Sequence, residues 1–180
     1  AKGFTTYANE TKNALHGKDA TNPTIRAFAT LSKKKGFREE WTAAFLESMH
    51  SDLHKAEYET YEELKRYMYG SAEVVGLMMS RILDLPENAE HAAQLQGNAF
   101  QLINIIRDVR EDRALGRTYI PREDMDSFGL STLDVKHEDE QHKFIALIRF
   151  EIERYQNIQE EARKGYSLLP KEMRIPIETV

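Results

Sequence analysis

The sequence predicts an all-α protein, on three observations. Apolar residues recur at three- and four-residue intervals through most of the chain. The strict alternation of a half-buried strand is nowhere found, nor is an internal repeat or a low-complexity segment. The breaks between periodic stretches carry turn chemistry, as in Asp19 to Pro23 and Leu85-Pro-Glu-Asn. With 180 residues the chain can bury one sizeable core, so 1–180 is read as a single all-α domain.

Taken in order, Ala1 to Lys18 reads as the end of a helix that finishes near Gly17. Ile25 to Lys35 is a second helix, with Ile25, Phe28, Ala29 and Leu31 at helical spacing. Its lysine run before Gly36 complements the negative helix end and is read as solvated rather than as a phosphate site. Glu39 to Leu53 is a third, with Trp41, Phe45, Leu46, Met49 and Leu53 on its apolar side. His50 and His54 lie four apart, but no glutamate follows the first and no third ligand is evident. A structural or surface role is expected for them. Asp52 borders the apolar face and is, by default, a surface carboxylate.

Thr60 opens a helix, with Glu63 placed for a capping box, that runs through to Leu83. Gly70, Ser71, Ala72 and Gly76 make its middle slim. Each glycine costs about 1 kcal/mol in a helix interior, so close helix approach or a ligand beside the backbone must compensate. Tyr67, Ser71, Val74 and Met78 share a stripe, which suits plain core equally well. His91 to Leu115 reads as one long helix, Arg117 to Leu130 as irregular, and Thr132 to Gly165 as a last long helix. Pro176 suits the first position of a further helix. A start at Ala1 without methionine and an end at Val180 give the chain the look of part of a longer protein.

Composition narrows the function classes. Hydrophobic residues make up 41% and charged ones 31%, an ordinary soluble balance. A net charge of −5 argues against nucleic acid as a partner, because a basic stripe would be expected. The absence of cysteine excludes disulfides, thiolate metal sites and a cysteine nucleophile, and fits a cytoplasmic location. No apolar run approaches a membrane span, so any membrane contact is expected to be peripheral.

The stretch that points to chemistry is Gln101 to Pro121, QLINIIRDVREDRALGRTYIP. On a helix, Asn104, Asp108 and Asp112 form a row, with Gln101 and Glu111 beside it. Such carboxylates are more often a solvated face paired with arginines, here Arg107, Arg110 and Arg113. Asn104 tips the balance, since asparagine is a mediocre helix former with no obvious reason to sit among isoleucines. Hard oxygen donors in a row suit Mg²⁺, which leaves further positions to water and phosphate. Gly116, Arg117, Tyr119 and Pro121 then make a turn able to carry a cation back to the same place.

Two motifs, Tyr67 to Met78 (YMYGSAEVVGLM) and Gln101 to Pro121, together resemble the squalene/phytoene synthase family, and prokaryotic phytoene synthases most closely. The resemblance spans nearly the whole chain. It implies the all-α isoprenoid synthase fold, with helices around a deep cavity. It also implies joining two all-trans prenyl diphosphates head to head through a cyclopropyl diphosphate, geranylgeranyl diphosphate giving phytoene. By this likeness Asn104, Asp108 and Asp112 hold Mg²⁺ (or Mn²⁺) and diphosphate, and Gln101 lines the same wall. Arg107, Arg117 and Tyr119 contact or frame the diphosphates, Tyr67 lies near the reacting carbons, and Asp52 faces the site. Gln101, Tyr67 and Asp52 are thus the candidate catalytic residues.

The family's first aspartate-rich motif has no counterpart between Ala1 and Asp52, and a fragment of this extent is expected to be inactive alone. The rival expectations are squalene or dehydrosqualene synthesis from farnesyl diphosphate, with NADPH needed only for squalene, and a non-catalytic relative acting as an assembly module. A plain helical scaffold with acidic faces is the reading from a different class.

Overall fold

Residues 2–178 are described in the computed structural model, and they wind into ten α-helices. Helix α1 (Lys2–Leu15) and α2 (Pro23–Lys35) pair as a hairpin around Ala14, Ala20 and Ile25. Asn22 caps α2 by accepting from Thr24 N at 2.9 Å, and Pro23 opens it. Gly36 ends it in the left-handed region (φ 65°), as its position after the lysines predicts. Of those lysines, Lys35 reaches Asp84 at 2.7 Å rather than standing free in solvent. Helix α3 (Glu39–Ser51) buries Trp41, whereas Leu53 falls beyond its end and is exposed.

The expected helix from Thr60 to Leu83 is three pieces: α4 (Tyr61–Met68), a π-helical turn (Tyr69–Glu73) and α5 (Val74–Ile82). Thr60 caps it through Glu63 N, at 3.2 Å, but the Glu63 carboxylate turns to Glu59 N, so the capping box is only half made. The π turn has a local cause. Ser48 Oγ of α3 donates to the Tyr67 carbonyl at 3.0 Å, where the ladder changes register. A Cβ on Gly70 would run into the Ala44 carbonyl and that same Ser48 Oγ.

One extra residue rotates the remainder of the helix by about 100°. The Tyr67–Ser71–Val74–Met78 stripe is therefore split. Tyr67 joins one core cluster, while Val74 and Met78 pack against Trp41 in another. Val75, Gly76 and Met79 face a cavity instead.

Helix α6 (Glu90–Arg107) lies at the centre, packed on the π turn and α5 on one side. The continuous helix expected to Leu115 bends at Asp108 (φ −95°, ψ 10°), and α7 (Val109–Ala114) continues beyond. The segment expected to be irregular contains α8 (Arg122–Ser127). Helix α9 (Glu138–Arg163) covers the other side of α6. It begins six residues later than Thr132, where Glu140 accepts from Lys136 N and His137 N. A short 3₁₀ turn (Tyr166–Leu168) leads to α10 (Lys171–Glu178), in which Pro176 lies inside the helix rather than at its start. Ala1 and Val180 lie outside the described residues.

The main core, with Leu64, Met68, Leu102, Ile105 and Leu147, sits below the middle of α6. Between α5, α6 and the end of α9 the packing opens into an apolar cavity of about 430 Å³. Among the described residues no helix is long and apolar enough to cross a membrane.

Candidate active site

Two distant segments are zipped together first. Thr118 N donates to the Ala56 carbonyl at 2.7 Å and Arg122 N to that of Tyr58 at 2.8 Å, around an isolated parallel bridge of Glu57 with Thr118. This pairing brings the end of α3 against the loop after α7. Asp52 sits at the junction. Its Oδ2 accepts from the Tyr67 hydroxyl at 3.3 Å and its Oδ1 from that of Tyr119 at 3.2 Å. Arg117 Nη2 donates to the Asp52 carbonyl at 3.2 Å. The surface role that Asp52 has by default is thus corrected: its carboxylate orders two phenols.

The rings of Tyr67 and Tyr119 lie 5.4 Å apart, and Tyr58 completes the group, 5.4 Å from Tyr67 and 5.8 Å from Tyr119. Lys55 Nζ stands 4.5 Å over the Tyr58 ring. Burial, with smaller contributions from neighbouring groups that include Asp52, raises all three phenols above the ordinary tyrosine range, so they stay protonated; the Tyr58 hydroxyl is buried without a partner. Tyr58 is the member sequence reading misses. It lies in a turn with no periodicity, and only the bridge to Thr118 brings it in.

On α6, Gln101 and Asn104 line the cavity. Ser71 from the π turn lines the same cavity, and its Oγ is buried without a partner. The row continues through backbone bonds: Asp108 N donates to the Asn104 carbonyl and Asp112 N to that of Asp108, both at 2.8 Å. Yet the bend at Asp108 divides it. Asp108 and Asp112 do not line the apolar cavity, and Asp112 opens on a separate small hollow with Arg117 and Tyr119. Of the three, Asn104 alone lines the apolar cavity.

The electrostatics of the two acids differ. Arg107 grips Asp108 through Nε and Nη2 at 2.6 and 2.7 Å, which holds that carboxyl below the usual range. The Arg107 side chain is 68% exposed, so it stands at the surface beside the row. Burial, then the neighbouring Asp108 charge, pushes the Asp112 carboxyl upward.

Among the described residues no three acidic or histidine side chains converge tightly enough to hold a metal by themselves. His50 and His54 are surface neighbours with rings 5.0 Å apart. The Asn104–Asp108–Asp112 donors nevertheless suit Mg²⁺: hard oxygens, with the remainder left to water and phosphate. The upward push on Asp112 fits as well, since a cation there would relieve it.

Comparison with known proteins points the same way. The model of the squalene/phytoene synthase family matches residues 3–179. The 15-cis-phytoene synthase of Synechocystis sp. is 36% identical over 141 residues, which is 71% of this chain and 42% of that protein. Phytoene synthase 1 of Solanum lycopersicum is 34% identical over 139 residues, 73% of this chain and 34% of its own length. The chain spans less than half the length of these curated relatives. The crystal structure of squalene synthase HpnC from Alicyclobacillus acidocaldarius superposes with a TM-score of 0.83 at 28% identity, over 98% of this chain and 67% of that one.

Proposed function

The chain belongs to the squalene/phytoene synthase family, and on that footing we propose that the protein condenses two all-trans prenyl diphosphates head to head, with Mg²⁺. Geranylgeranyl diphosphate is the proposed substrate and phytoene the product, by way of a cyclopropyl diphosphate. The observation that carries this reading is the change of character at Asn104. On one side lies the 430 Å³ apolar cavity; on the other lie Asp108 and Asp112. A molecule with an oily tail and a doubly charged head matches that juxtaposition.

Asn104, Asp108 and Asp112 would hold the divalent ion (Mg²⁺, or Mn²⁺ in its place) together with the diphosphate. An ion held by these residues would supply Lewis acidity toward the diphosphate oxygens. Arg117 and the exposed Arg107 share the diphosphate's charge. Gln101 offers its carboxamide at the same lip of the cavity. Tyr67 and Tyr119, held by Asp52, keep their protons and present oxygen dipoles and ring faces to an allylic cation. Their packed rings also exclude water from it.

A second reading has a specific observation behind it. A dehydrosqualene synthase structure also superposes, with a TM-score of 0.84 at 28% identity, over 94% of this chain and 60% of that one. Farnesyl diphosphate would then be the substrate, and NADPH would be required only for squalene. Assay of the protein at the full length of its relatives, with each donor, separates the two: phytoene from geranylgeranyl diphosphate supports the first, product from farnesyl diphosphate alone the second. Release of so apolar a product suits peripheral contact with a membrane.

A further inference from the structure

The wall of the cavity is not uniformly apolar, and its polar groups are of two kinds. Ser71 Oγ, on the π turn whose Ala72 abuts Gly97 of α6, is buried without a partner. Gln96 and Tyr166 also line the cavity, with Gln159 standing behind them. These three satisfy one another. Gln96 Nε2 donates to Gln159 Oε1 at 3.0 Å, and Gln159 Nε2 donates to the Tyr166 hydroxyl at 2.7 Å and to Gln96 Oε1 at 3.3 Å. The Tyr166 hydroxyl donates in turn to Gln96 Oε1 at 2.6 Å. The group ties α6 to α9 and to the 3₁₀ turn. Close packing holds the same seam, for a Cβ on Gly165 would strike the Cβ of Ala92.

We propose that the Gln96–Gln159–Tyr166 group determines tail-length specificity, by making the half of the cavity farther from Asn104 behave as an apolar surface. This rests on the reading of the cavity as a prenyl site. Gln96 lies two turns of α6 from Asn104, about 12 Å at 1.5 Å per residue. A geranyl tail anchored at the Asn104 end stops short of it, whereas a geranylgeranyl tail, twice as long, passes it. With the three side chains bonded to one another, the passing tail strips no hydrogen bond from the wall.

If the group is opened, water entering the free cavity can satisfy the orphaned atoms. A long tail displaces that water and leaves them unpaired, which is costly. Gln159 does not line the cavity, so it acts through the other two and is a positioning residue.

The test is calorimetric binding of S-thiolo geranyl and geranylgeranyl diphosphates to the full chain with Mg²⁺, using Gln159→Met and Tyr166→Phe. Gln159→Met, which strands the Gln96 amide N–H, is expected to lose about tenfold in affinity for the geranylgeranyl analogue and none for the geranyl one. Tyr166→Phe, which leaves Gln96 and Gln159 bonded to each other, is expected to show a smaller loss of the same kind. Replacing all three (Gln96→Leu, Gln159→Met, Tyr166→Phe) is expected to restore long-tail binding, since no polar atom remains to be stranded. Equal losses for both tails, or no loss for either, would overturn the inference. Absence of binding to the unaltered chain would instead overturn the prenyl-site reading itself. Because Tyr166→Phe opens the group from the opposite side, the outcome stands even if Gln159→Met does not fold.

Discussion

The Tyr119 hydroxyl stands 3.2 Å from Oδ1 of Asp52, although the two residues are 67 apart in sequence. The bond joins the end of α3 to the loop after α7, and Tyr67 occupies the other carboxylate oxygen. Three elements therefore share one acid. Each hydrogen bond of this kind contributes about 1 kcal/mol net.

Tyr119→Phe is expected to cost about 1 kcal/mol, and Asp52→Ala about 2–3 kcal/mol because two phenols lose their acceptor. The double variant should cost less than the sum, as partners in one network do. Urea unfolding of the four proteins measures this. Additive losses would mean that the acid and the phenol are energetically independent.

Backbone proximity, rather than turn geometry, explains Gly76. A Cβ there would collide with the Ala93 carbonyl of α6, a backbone atom that cannot swing aside. Gly76→Ala is expected to destabilise by about 1–3 kcal/mol. Gly3→Ala, in a helix with open space around it, should stabilise by about 0.5–1 kcal/mol. Thermal melts of both variants give the comparison.

A pH effect is expected from Glu151, which is 1% exposed. One of its oxygens accepts from Arg154 at 2.8 Å, while Oε1 has no partner. Arg154 is shared with Asp124 at 2.9 Å and lies 3.8 Å from the centre of the Tyr61 ring. Burial pushes the Glu151 carboxyl up to about 7, against Arg154, which pulls it down. The folded protein then holds a proton that the unfolded chain has released, so stability is full below the ordinary glutamate value of 4.5 and declines as pH rises to about 7. The slope is at most about 1.4 kcal/mol per pH unit for one proton. Glu151→Gln mimics the protonated form and should flatten the decline in denaturant melts between pH 5 and 7.

Much of the fold is legible in the sequence, and the exceptions have physical reasons. The helical class comes from periodicity, and the helix end at Gly36 comes from local backbone chemistry that needs no partner. The π turn is not legible, because it is imposed by Ser48 from another helix; spacing alone keeps Val74 and Met78 in one stripe with Tyr67. Spacing places Asp108 correctly in a row, but the bend that takes it off the cavity wall is invisible to an ideal helix. Tyr58 and the Gln96–Gln159–Tyr166 group are silent for a related reason. Their meaning lies in contacts between residues tens of positions apart, and none of them breaks a local pattern.

The central claim is that the oxygens of Asn104, Asp108 and Asp112 hold a divalent ion where charge meets the apolar cavity. The most direct test is titration of the full chain with an S-thiolo prenyl diphosphate, with and without Mg²⁺, beside Asp112→Asn and Asp108→Ala. Binding should require Mg²⁺ in the unaltered protein, and either substitution should weaken it by about a hundredfold or more, at least what is lost when a mere supporting residue of a metal site is removed. Binding that is indifferent to Mg²⁺, or unchanged in both variants, would contradict the claim.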